Sequence, residues 1–191
     1  MISASLLALL RCPRCGGRPV ADGPAAAPTC PGCGAAFGRA GGYLVAPAAA
    51  DLAGRDTHYK EAAFAEALGA RSVGRPLLGA AVRQRWLRRW LFEPPAGPVL
   101  EIGCGDGRFA HWNRRRAHIV GLDAVPLFAR EALAEVDLVQ GDARALPFAD
   151  GVFAAAYSID VLEHLDMPGL EALMAEARRV LRPGAGRPGC A

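Results

Sequence analysis

Four cysteines stand in two pairs, Cys12-Pro-Arg-Cys15 and Cys30-Pro-Gly-Cys33, in the spacing C-x2-C-x14-C-x2-C. Two thiolates three residues apart grip one metal ion from a tight turn. Two such knuckles supply four tetrahedral sulfurs, the closed coordination of a structural zinc. An S4 tetrahedron also suits iron. With no open ligand position, the metal would fold the segment rather than take part in a reaction.

A second constellation begins at Glu101. The run VLEIGCGDGRF (99–109) is a short apolar strand followed by Gly103, Gly105 and Gly107, with Cys104 between the first two. Glycine accepts positive φ and leaves room for a ligand to approach the backbone. At a strand-to-helix corner of a parallel sheet, that is where ligands bind. A nicotinamide site wants G-x-G-x-x-G, and its third glycine position falls on Arg108, a poor fit. Asp123 lies twenty residues after Gly103, the spacing expected of a carboxylate that accepts both hydroxyls of a ribose. His164 is a candidate base, since imidazole titrates near neutrality. A histidine at such a position more often shapes a pocket.

These residues need elements to hold them. Leu6, Leu7, Leu9 and Leu10 precede the first knuckle, and Phe37 with Tyr43 to Val45 follow the second as short strands would. Positions 46–54 form an Ala/Pro run read as a linker, and 58–68 can form a helix. Another helix is predicted from Leu77 to Phe92. Its Leu78, Val82, Trp86, Leu87, Trp90 and Leu91 recur at three- and four-residue steps, and Arg83, Arg85, Arg88 and Arg89 take the other face. The expected arrangement is a Trp face packed on the main domain and a solvated arginine face. The alternative is contact with RNA phosphates, extended by Arg114, Arg115 and Arg116. Beyond the glycines, helices are expected over 108–116, 128–134 and 168–181, and strands over 118–123, 136–141 and 152–158.

The ordered series Glu101 with its glycines, Asp123, Gly141-Asp142-Ala143 followed by Leu146-Pro147-Phe148, and Ile159 to Leu165 resembles the class I S-adenosylmethionine-dependent methyltransferase superfamily, of the type 11-like kind. The resemblance spans residues 99–184. It implies a Rossmann-like α/β sheet and S-adenosylmethionine as cofactor. It also implies cofactor contacts at Glu101, Gly103, Cys104, Gly105, Gly107, Asp123, Ala124, Asp142, Ala143 and Ser158, with Asp142 accepting from the adenine amino group. The first 45 residues, LLALLRCPRCGG and CPGCGAAF above all, resemble the small Trm112-like zinc-ribbon proteins, some of which activate methyltransferases as partners.

The expected organisation is therefore a zinc ribbon (1–45), a linker with helices (46–92) and a cofactor domain (93–191). Class I methyltransferases usually have seven strands. Four are expected here, because Ala185 to Ala191 offers no apolar strand. The fourth strand should then be an exposed edge that a partner or dimer could cover. The methyl acceptor is left between an RNA base and a small molecule, and the contrasting reading is a noncatalytic ribbon partner or RNA-binding protein. An apolar fraction of 52% is ample for a core, and the net charge of +3 excludes neither kind of acceptor. Ile2 to Leu10 is too short to span a bilayer and lacks a basic n-region or cleavage site, so a cytoplasmic protein with no membrane span is expected.

Overall fold

Ser3 starts the first helix. Its hydroxyl accepts the Leu6 N–H at 2.9 Å, and α1 (Ala4–Leu9) follows with Leu6, Leu7 and Leu9, while Leu10 is extended and bridges to Phe148. The computed structural model describes residues 3–23, 25–47, 78–90, 96–184 and 189–190; the predicted helix over 58–68 and most of the predicted linker lie outside them. After α1 come the two knuckle turns, then the antiparallel hairpin β1 (Gly38–Ala40) and β2 (Tyr43–Val45). Next along the chain is α2 (Leu78–Trp90).

Short apolar runs buried on both faces form central parallel strands. So it is with β3 (Val99–Ile102) and β4 (Ile119–Asp123), linked by α3 (Arg108–Asn113). The helix α4 (Arg130–Glu135) leads to β5 (Asp137–Gln140), and β6 (Ala155–Ser158) follows. A 3-10 turn (Leu162–His164) precedes α5 (Met167–Val180), which Asp166 caps by accepting the Gly169 N–H at 2.9 Å. The sheet order is β1-β2-β5-β4-β3-β6-β7, with β7 at Gly189–Cys190. The chain steps outward from β3 through β4 to β5, then returns to β6 on the other side of β3. Such a reversal opens a crevice at the carboxyl ends of the strands.

The hairpin is built into this sheet. β2 pairs in parallel with β5, Leu44 opposite Val139 and Val45 opposite Gln140, and Ala46 N–H donates to the Gln140 carbonyl at 2.9 Å. The other end of the ribbon is also tied in. Arg11 N–H donates to the Pro147 carbonyl at 3.0 Å, Ala149 N–H to Leu9 at 2.8 Å, and the Ser3 hydroxyl to Asp137 at 2.6 Å. One core results. Leu6, Leu10, Phe37 and Leu44 pack with Leu100, Leu122, Val139, Phe148 and Phe153, and with Leu173 and Val180 of α5. A two-stranded hairpin this short is not stable alone; here it shares a sheet and a core.

Two expectations are corrected. β6 is not a bare edge, because Tyr157 and Ser158 pair with Gly189 and Cys190. Strand pairing uses backbone groups, so the absence of an apolar run in 185–191 does not forbid it. The second correction concerns α2. Its packed face is Gln84 and Leu87 with Trp90, whereas Val82 and Trp86 are 53% and 62% exposed. Trp90 stands edge-on to Tyr157, ring centroids 6.0 Å apart. The apolar periodicity missed Gln84 because the buried partner of that amide is another amide, Asn113, with hydrogen bonds of 3.0 and 2.9 Å. Arg83 is not part of a purely solvated face either; it pairs with Asp160 at 2.8 Å.

A shared core has a direct consequence. Leu44 is fully buried. Leu44→Ala should lower the unfolding free energy by about 2–5 kcal/mol, the usual range for truncating a buried leucine. The urea transition followed by tryptophan fluorescence, which reports from α2 and α3, should move with it. An unmoved tryptophan transition would mean that the ribbon folds independently.

Candidate functional site

The carboxyl end of β3 runs into the glycine turn. Gly103, Gly105 and Gly107 have φ of +73°, +54° and +77°, the left-handed region that disfavours side chains. At Gly103 a side chain is excluded twice over, since an added Cβ would stand 2.1 Å from Val161 Cγ2. The turn's N–H groups are internally bonded. Those of Gly103 and Cys104 donate to the Leu122 carbonyl at 2.8 and 3.0 Å, and that of Gly107 to Cys104 at 2.8 Å. Gly105 N–H donates to Asp123 Oδ2 at 2.7 Å. A Cβ on Gly105 would meet nothing within 4 Å, so open space lies over the turn there.

Asp123 ends β4. Besides Gly105 it accepts the Val125 N–H on Oδ1 at 2.9 Å. Burial pushes its pKa up, and these N–H donors pull it back. An ionised carboxylate has about four acceptor sites, so capacity for a diol remains after two backbone bonds. Glu101 lies between Gly121 and Tyr157 in the centre of the sheet and is 1% exposed. Burial, with some help from Asp106 and Asp123, pushes its pKa up to about 8. The Tyr157 hydroxyl faces this carboxyl and pulls its pKa back down, yet among the described residues neither Glu101 Oε2 nor that hydroxyl completes a hydrogen bond of full geometry. A buried polar atom with an incomplete hydrogen bond is costly.

Asp142 follows β5. It accepts Arg144 N–H at 2.9 Å and holds the Arg144 guanidinium through Nε at 2.9 Å, so the acid predicted to face an adenine is paired with a cation. Ala124 and Ala143 adjoin Asp123 and Asp142 and are half-buried. Ser158 ends β6, and its hydroxyl donates to the Ile102 carbonyl at 2.9 Å, joining two strands. Cys104 packs with Phe128, Ala132 and Leu138, and burial pushes its thiol well up, which suits a packing role. His164 sits exposed in the 3-10 turn. Sequence reasoning missed Asp106, a buried acid that accepts from the Arg108 backbone N–H at 3.1 Å and Nε at 2.9 Å. The signal was present: the same acid-x-Arg spacing recurs at Asp142 and Arg144.

The cysteines converge. The Sγ atoms of Cys12, Cys15, Cys30 and Cys33 all lie within 4.8 Å of one another. Cys12 to Cys33 is 3.7 Å and Cys15 to Cys30 is 3.4 Å. Four sulfurs at 2.3 Å from a tetrahedral zinc stand about 3.8 Å apart, so the donor set fits that ion. Gly17 passes close by, since an added Cβ would be 2.9 Å from Cys30 Sγ.

Residues 99–184 match the family model described as a methyltransferase domain. A sterol 24-C-methyltransferase of Gibberella zeae is 37% identical over 101 residues, covering 47% of this chain and 26% of that protein. A ubiquinone/menaquinone biosynthesis C-methyltransferase of Desulfotalea psychrophila is 36% identical over 117 residues, covering 53% and 45%. The chain thus spans less than half the length of these curated relatives. Among solved structures, the PH0226 protein of Pyrococcus horikoshii aligns with a TM-score of 0.48 at 27% identity, over 55% of this chain and 50% of that one. Among the described residues, no helix is long and apolar enough to cross a membrane.

Glu101 makes stability depend on pH. Its pKa is raised in the fold from an ordinary 4.5 to about 8. Its contribution is therefore complete below about 4.5 and is lost as pH rises toward about 8. Glu101→Gln keeps the shape and removes the titration. Urea unfolding at pH 5, 7 and 8.5 should show the wild type losing stability relative to this variant as pH rises. A pH-independent difference would mean that Glu101 is ionised in the fold.

Proposed function

We propose, on the premise that residues 99–184 are a class I methyltransferase domain, that the chain binds S-adenosylmethionine in the crevice at the ends of β3, β4 and β5. In this reading it transfers the methyl group to an acceptor, and Cys12, Cys15, Cys30 and Cys33 hold one structural zinc. The observation that carries the cofactor reading is the clasp of Asp123 on Gly105 at 2.7 Å beside open space over the turn. It sets a carboxylate with spare acceptor sites where a ribose would lie.

When bound, the cofactor supplies an activated methyl group together with its leaving group. The protein's task is then to hold and align. Asp123 takes the ribose hydroxyls. Asp142, kept in place by Arg144, faces the base. Glu101 Oε2, its hydrogen bond incomplete, offers an acceptor toward the amino-acid end. Val161, packed on Gly103, walls the turn on the β6 side. Alignment of this kind supplies much of the acceleration in a displacement, so no catalytic triad is required. His164 has the chemistry of a base for acceptors that must lose a proton. The relatives are named for different acceptors, a sterol and a quinone, so their names do not choose one for this chain.

Calorimetric titration with S-adenosylhomocysteine tests the reading. Saturable binding is expected, weakened at least about tenfold in Asp123→Ala, as befits loss of hydrogen bonds to a charged group. NAD should give no heat. Absence of S-adenosylhomocysteine binding by a folded, metal-loaded chain, or binding of NAD in its place, would overturn it.

A further inference from the structure

Two arginine clusters that lie apart in the sequence are brought side by side. The buried Gln84–Asn113 amide pair fixes α2 against the end of α3. Arg85 and Arg88 follow Gln84 on α2, and Arg115 and Arg116 follow Asn113; all four are exposed, as is Arg89. Arg114 is otherwise engaged, with Glu135 at 2.7 Å. Between Leu78 and Trp90 there is no acidic residue to offset this charge.

With about 100° per residue in a helix, the outward face of α2 reads Arg88, Arg85, Arg89, Val82 and Trp86. It runs from the side nearest α3 round to the side of Trp90 and Arg83. Arg83 in turn reaches Asp160 at 2.8 Å, where the chain leaves the carboxyl end of β6. Asp160 has φ of +55° and is followed by Val161, the side chain lying on Gly103. The basic face therefore leads toward the mouth of the proposed cofactor crevice. A solvated surface accounts for the arginines, but not for an indole left 62% exposed among them.

We infer that this face docks a single-stranded RNA segment, with the guanidinium groups on successive phosphates and Trp86 stacked on a base. Base–aromatic stacking between phosphate contacts is the general way of holding a single strand, and it tolerates any sequence because every base has a π face. A helix lying in a membrane surface needs a broad apolar face. α2 spends Leu87 and Trp90 on the protein interior, leaving Val82 and Trp86 as its large outward apolar side chains among those described. An acidic peptide would satisfy the charges and leave the indole unused. That the docked strand presents the methyl acceptor rests on the methyltransferase reading; the binding itself does not.

The test is fluorescence anisotropy of a labelled 20-nucleotide oligouridylate titrated with the full zinc-loaded chain. Saturable binding is expected, with a slope of log K against log salt of about −2 to −3.5, as for three to five phosphate contacts. Trp86→Ala should weaken binding about 5- to 50-fold, and the double variant Arg88→Glu, Arg89→Glu should weaken it further and flatten the salt slope. Arg178→Ala, at an exposed position of α5 on the opposite face of the sheet, should leave it unchanged. All variants should keep the wild-type melting temperature, since the altered side chains are exposed. The inference is overturned if no saturable binding occurs, or if the Trp86 and Arg88/Arg89 variants bind as well as the wild type. It is also overturned if phosphatidylserine vesicles bind in a Trp86-dependent manner while the oligonucleotide does not. Titration of the same preparation with S-adenosylhomocysteine separates failure of this docking surface from failure of the cofactor reading.

Discussion

The backbone pairing of β2 with β5, Leu44 against Val139 and Val45 against Gln140, is the contact on which the architecture depends. β5 would otherwise be the outer strand of the parallel set, with a free row of N–H and C=O groups. β2 covers that edge, and β1 then closes the sheet with a short antiparallel strand. The price is that the hairpin must be held in shape, and two three-residue strands cannot do this alone. The core around Phe37 and Leu44 does this, and the convergent knuckle cysteines would add a clamp with a metal ion bound. β5 also leads into Gly141 and Asp142. The ribbon is thus one strand away from the base-facing side of the proposed cofactor crevice.

The carboxylates at the strand ends divide into two kinds. Asp106 and Asp142 are each clamped by the arginine two residues on, through both backbone and guanidinium. Such charge-assisted, forked pairs are rigid and set loop shape. Asp123 and Glu101 have no arginine clamp among the described residues. Asp123 is held by two backbone N–H groups, and Glu101 keeps an oxygen without a complete hydrogen bond. Both are pushed up by burial. Asp123 and Glu101 are thus left less completely satisfied than the clamped pair, and acceptor capacity remains on them for a polar ligand.

Much of this was legible in the sequence, and for physical reasons. Strands β3 to β5 announced themselves as short runs leading into Gly103, Asp123 and Gly141, β6 as an apolar run ending at Ser158, and the cysteine spacing dictated four convergent sulfurs. The glycine turn was legible because positive φ at three alternate positions tolerates little else. The failures share one cause: non-local pairing. Nothing in Gly38 to Val45 reveals that its hairpin will join β5 nearly a hundred residues later. Periodicity chose Trp86 over Gln84 for the packed face of α2, because an amide is polar until another amide meets it. Gly189 and Cys190 lack strand composition, yet backbone groups suffice to pair with β6.

The most direct test of this account is amide hydrogen exchange on the zinc-loaded chain and on the same chain stripped of metal by a chelator. If ribbon and parallel sheet form one cooperative unit, stripping should increase exchange at Val139 and Gln140 as well as in residues 12–45. The effect should fade across β4 toward β6. Increased exchange confined to residues 12–37, with β5 as protected as before, would contradict it.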